Sequence, residues 1–199
     1  MGIGRPINTN QTNQMSKTLT EQDYIEAAAL LKCEVAVIKA VKEVESKGNG
    51  FQADGRAVIL FERHIFHRLT KGIYSQQYPD ISNQTPGGYG KYSEQYDRLA
   101  KARALDQDAA LKSCSWGLFQ CMGFNFSVCG YSNLTTFITA MNQSEKDHLF
   151  AFCNFVIANG LDDELQRKDW AGFARGYNGK NYRINKYDEK LQKAYDRLK

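Results

Sequence analysis

Two glutamates stand where apolar stretches end in "VKEVESKGNGFQADGRAVILFERHIF", residues 41–66. Glu45 closes a helical stripe of Val37, Val41 and Val44, with Ile38 beside them. At the helical angle, Val41 and Ile38 flank its direction, while Glu43 points the other way, near Lys39. Burial and the negative end of the helix dipole both raise the pKa of a carboxyl so placed. A carboxyl held protonated and aimed into a cleft is what a general acid requires. Glu62 closes the run Ala57 to Phe61 and, by alternation, shares a strand face with Val58 and Leu60. A hairpin directly after the helix can turn back and set Glu62 across from Glu45. Two facing carboxylates, one protonated and one charged, are the equipment of glycoside hydrolysis. One protonates the leaving oxygen; the other activates water or steadies the oxocarbenium-like charge. Each also has a plainer reading: a buried glutamate bonded to backbone, and a strand-end ion pair with Arg63.

Glu62, His64 and His67 spell E-x-H-x-x-H, which is not a metal motif. Apolar flanks and the lack of another ligand cluster point to structural histidines, no metal and no cofactor. Five cysteines show no CxxC pair. That pattern suggests reduced thiols made in a cytoplasm.

The elements that must position these residues read as mainly helical. The 199 residues suffice for one domain with a sizeable core. No apolar run approaches the ~18 residues of a membrane span. The N-terminus lacks an apolar signal region; residues 1–17 read as a flexible polar arm, with Met15 a candidate start, and residues 18–199 as a single domain. "LTEQDYIEAAALLKC" opens a helix with Thr20 as N-cap. "EVAVIKAVKEVES" is a second, ended by "KGNG". "FQADGRAVILFERHIF" reads as strand, D-G turn and strand. "PDISNQTPGGYGKYS" is a long polar loop. From Tyr92 on, the pattern is helical nearly to the end, including one helix over "SEQYDRLAKARALDQDAALKSC". The fold class is therefore mainly α (α+β), with a small β-hairpin region beside the site.

Two further stretches, "CSWGLFQCMGFN" (114–125) and "FARGYNGKNY" (173–182), join "VES" in a set. In order and rough spacing they resemble the three motifs of the goose-type lysozyme and soluble lytic transglycosylase superfamily, with Phe119 where that pattern has Met. More narrowly, "AVIKAVKEVESKGNGF", "GRAVILFERHIFHRLT", "SCSWGLFQCMGFN" and "ARGYNGKNY" look like the N-acetylmuramidase domain of phage endolysins, from about Thr20 to the C-terminus. The resemblance implies a lysozyme-like fold, Glu45 as catalytic acid and Glu62 as a second active-site carboxylate. It implies a muramidase cutting the β-1,4 bond between N-acetylmuramic acid and N-acetylglucosamine in peptidoglycan. It adds Ser46, His64, Gln120, Tyr177, Asn178 and Tyr182 as substrate-binding candidates. Gln120 and Asn178 offer amides to N-acetyl and hydroxyl groups; Tyr177, Tyr182 and Trp116 offer flat faces, although Trp116 and Phe119 read first as packing.

Two rivals share these observations. A lytic transglycosylase needs one acid/base glutamate and gives anhydro-muramic products. A non-catalytic peptidoglycan-binding or virion module would bind without cutting. The net charge of +4 fits an anionic partner without selecting one. The basic C-terminus reads as an amphipathic helix packed by Tyr187, Leu191, Ala194 and Leu198, not as a nucleic-acid binder. Its basic face is a candidate contact for anionic outer-membrane lipid. The expected state is a monomer, made in the host cytoplasm without a signal peptide. It would reach the wall through the periplasm after holin-type release, or from outside when added.

Overall fold

The computed structural model describes residues 17–46 and 48–199. The arm expected over residues 1–17 lies outside them except for Lys17. Its ammonium donates to the Gly55 carbonyl at 2.9 Å, and its carbonyl accepts from the Glu145 amide at 2.8 Å.

Helix α1, Glu21–Leu31, begins at Thr20, whose hydroxyl accepts from Asp23 N while Asp23 caps in return. Helix α2, Val35–Glu45, buries Val37, Ile38 and Val41 of the stripe seen in the sequence, together with Ala40, while Val44 is only partly buried. Strand β1, Ile59–Phe61, leads into α3, Arg63–Leu69. After a long loop come α4, Gln95–Leu105, and α5, Gln107–Lys112. Strands β2, Cys114–Trp116, and β3, Cys121–Met122, follow. Helices α6, Leu134–Met141, and α7, Glu145–Ala158, precede α8, Asp162–Arg167, α9, Trp170–Asn178, and α10, Tyr187–Leu198. The strands form one antiparallel sheet in the order β1-β2-β3, with Ile59 opposite Trp116 and Ser115 opposite Met122. Helix α7 is packed on several sides, burying Leu149, Ala151, Phe152, Cys153 and Val156. Helix α10 lays Leu191, Ala194 and Tyr195 inward and packs on α2 and α9.

Three local expectations give way. The hairpin after α2 shrinks to a single bridge, Phe51 to Ala57, and β1 pairs with the distant β2 instead. Glu62 is thus the residue before α3 (φ −101°, ψ 93°), not a strand position. The helix expected across residues 93–114 breaks at Asp106, which is extended (φ −156°, ψ 105°) and caps α5 by accepting from Ala109 N at 2.9 Å. An aspartate offers backbone donors this local alternative to helix continuation. The helical run from Tyr92 is also interrupted by β2 and β3, where Gly117 (φ 71°) and Gln120 (φ 51°) turn the chain in the left-handed region.

Candidate active site

Glu45 and Glu62 line one cleft of about 440 Å³, together with Gln120, Tyr177 and Asn178. Glu45 is the last residue of α2; the turn is closed behind it by Ser46 N donating to Lys42 O. Asn178, at the end of α9, donates its amide to Glu45 Oε1 at 3.0 Å. Burial raises the Glu45 pKa above the usual carboxyl range, against the Asn178 hydrogen bond and the positive field of Lys190. A protonated Glu45 keeps its second oxygen free to carry the proton, because the amide occupies the first.

Glu62 is fixed by its backbone: its amide donates to Ser113 O at 3.0 Å, and its carbonyl accepts from Ile65 N and Phe66 N. Its Oε2 lies 3.2 Å from His64 Nδ1, although the pair lacks hydrogen-bond alignment. Burial raises this pKa too, while His64 and the Tyr89 hydroxyl favour the charged form. Burial thus acts on both carboxylates, but the groups that pull back differ: an amide and a lysine at Glu45, an imidazole and a phenol at Glu62. Tyr89 was not singled out by the sequence. An aromatic set among Gly87, Gly88 and Gly90 in the polar loop was the available signal.

The other candidates divide. Gln120 faces the cleft, yet its amide is occupied: Oε1 accepts from Ser115 Oγ at 2.7 Å, and Nε2 donates to Gly117 O at 2.8 Å. It holds the β2–β3 turn closed. Tyr177 donates to Phe119 O at 3.3 Å and stacks on Phe173 with centroids 5.5 Å apart. Phe155 adds an aromatic cleft wall. Ser46 lines a different depression, beside Tyr24 and Leu198. Tyr182 is buried and accepts from Arg183 Nε at 3.2 Å, away from the cleft lining. His64 reaches the site only through Glu62. Trp116 is core, its indole N–H donating to Leu111 O at 3.2 Å. Among the described residues no three His, Cys, Asp or Glu side chains gather as a metal cluster.

A family model described as Muramidase, N-acetylmuramidase, matches residues 34–199. The chain belongs to the N-acetylmuramidase family. This muramidase is accordingly a lysozyme-type glycoside hydrolase with peptidoglycan as its substrate. Neither the transglycosylase nor the silent-module alternative is favoured. Among solved structures it is similar to the crystal structure of a Burkholderia AP3 phage endolysin, at 42% identity and TM-score 0.88. The match covers 95% of this chain and 74% of that one, and it bears out the lysozyme-like, mainly helical fold. No match was found among curated proteins.

Proposed function

We propose that Glu45 is the general acid and Glu62 the second carboxylate of an endolysin-type muramidase. The reading is carried by one observation: both carboxylates line the same cleft, with an Asn178 amide held on Glu45. Glu45 gives its proton to the glycosidic oxygen as the bond from muramic C1 breaks. Water adds its oxygen to C1, and Glu62 takes the proton that water releases or steadies the developing positive charge. Tyr177 and Phe155 supply apolar ring contact, and Asn178 keeps Glu45 in place.

The test is mass spectrometry of soluble fragments released from purified peptidoglycan. Wild-type protein should yield reducing muramic ends. Glu45→Gln should lower the rate by roughly a hundred- to ten-thousandfold. Wild-type cutting by Glu45→Gln would remove Glu45 from the role, and anhydro-muramic ends would remove Glu62 from its own.

Lys186, at the start of α10, and Lys193, on its exposed surface, suit anionic outer-membrane lipid, while Arg197 is engaged by Glu43. Leu191 and Tyr195 belong to the core, so charge substitution tests this contact better than truncation. Lys186→Gln with Lys193→Gln should reduce permeabilisation of outer membranes while leaving hydrolysis of purified wall unchanged. The protein acts as a monomer, which sedimentation at working concentration checks. Among the described residues no helix is long and apolar enough to cross a membrane. We propose that the protein passes to the wall through a holin-type pore; lysis in a host carrying this gene should then cease when the pore protein is deleted.

A further inference from the structure

His148 lies on α7, outside every motif the sequence offered, and is 1% exposed. Its Nδ1 accepts from Leu118 N at 3.0 Å, and its Nε2 donates to Met141 O at 2.7 Å. A backbone N–H on one side and a carbonyl on the other fix the neutral ring with its proton on Nε2. Burial, which pushes the pKa down, agrees with that state. The ring also stacks on Phe51, centroids 5.0 Å apart.

Two motif glycines close on this ring from opposite parts of the chain. A Cβ at Gly50 would lie 2.6 Å from Nδ1, and one at Gly117 would lie 2.7 Å from the ring. Gly50, in "KGNGF", has an ordinary backbone, so the close approach alone accounts for glycine there. One turn earlier on α7, buried Glu145 accepts from Gly50 N at 2.7 Å and from Leu19 N at 3.1 Å. The segments are laced further: Val58 N donates to Gly50 O at 2.8 Å, and Gly117 N donates to Val58 O at 2.8 Å.

The outer surface of these segments is a second groove of about 310 Å³, lined by Asn49, Phe51, Tyr92 and Leu118 among others. It adjoins the carboxylate cleft through Gln120, which lines both. No carboxylate lines it, so it is equipped to bind and not to cut.

We propose that His148 is a positioning residue for substrate: by holding Phe51, Gly117 and Leu118 from beneath, it shapes this groove to carry glycan beyond the scissile bond. The inference rests on the muramidase reading for the identity of the ligand. Binding remote from the reacting atoms appears as affinity that grows with glycan length.

The experiment measures binding by calorimetry in the Glu45→Gln background, with four-sugar fragments and with long, soluble peptidoglycan glycans. Without further substitution, long glycans should bind at least about tenfold more tightly, as one added contact region provides. His148→Leu should bring the two affinities within roughly twofold of each other. His148→Asn should keep the advantage, since its amide oxygen can take the Leu118 hydrogen bond. Gly50→Ala, which drives a methyl into the imidazole, should reproduce the leucine result by a separate route and stands in for it if that variant does not fold. An unchanged length advantage in either variant, with native circular dichroism, would overturn the proposal. A His148 that merely supports the fold would lower the melting temperature without touching the ratio. Should Glu45→Gln prove still to cut, the acid assignment falls, and the length ratio, read in a Glu45→Gln, Glu62→Gln double background, still judges His148.

Discussion

Burying a carboxyl costs most when it is ionised, and Glu45 and Glu62 both lie in that condition. Their folded pKa values are raised above the unfolded ones. The stability tied to such a group is fully present below the unfolded pKa and is lost as pH rises through the folded pKa. At neutral pH, Glu45→Gln and Glu62→Gln should therefore melt above wild type, and the gap should close well below the ordinary glutamate value of about 4.3, where Glu45 and Glu62 are protonated folded and unfolded alike. Differential scanning calorimetry at the two pH values checks this; equal melting at neutral pH would deny the burial cost. The hydrogen bond from Asn178 lowers the Glu45 pKa. Asn178→Leu should then move the alkaline limb of kcat/KM to higher pH, because the acid keeps its proton longer. Both carboxylates were legible as residues because each interrupts an apolar pattern. Asn178, Tyr177 and Gln120 were legible only through their motifs, and their work differs from what was expected: Asn178 holds Glu45, and Gln120 closes a turn. Ser46 and Tyr182 belong to the motifs, but chain adjacency does not set direction once a helix ends. His148 left no mark, since its partners are backbone groups brought together by the fold.

Helices were legible where caps and stripes coincide, as at Thr20 and along α2. The sheet was not. "CSWGLFQCM" is nearly continuous in apolar residues, and two short strands in it carry no alternation to count. The segment "ERHIF" keeps a strand-like pattern although Glu62 starts a helix, because α3 buries only Ile65 and Phe66. The break at Asp106 hides within good helix formers. Removing its cap by Asp106→Ala should cost about 1 kcal/mol in urea unfolding. Leu191 is fully buried where α10 meets the core, and α10 packs on the helix bearing Glu45. Leu191→Ala should cost roughly 2–5 kcal/mol. The surface ion pair of Arg197 with Glu43 joins the same two helices, yet Arg197→Gln should cost less than about 1 kcal/mol.

All five cysteines are free, and only Cys33 is partly accessible, its thiol pushed up to about 11 by burial. A thiol reagent should label the native protein slowly at Cys33 alone and all five sites after denaturation; a reductant should leave the melting temperature unchanged. The mainly helical class was legible from periodicity. The way distant segments meet was not, because neither spacing nor periodicity records which loop faces which. The cleft draws its walls from the end of α2, the start of α3, the β2–β3 turn, α7 and the end of α9. Pairings at such separations form late and slowly. Activity should consequently return after the bulk of helical signal when the denatured protein is refolded. It also follows that no proteolytic fragment cut between Glu45 and Asn178 inherits the whole working edge: a cell degrading the enzyme there is cutting up a tool and parting its blade.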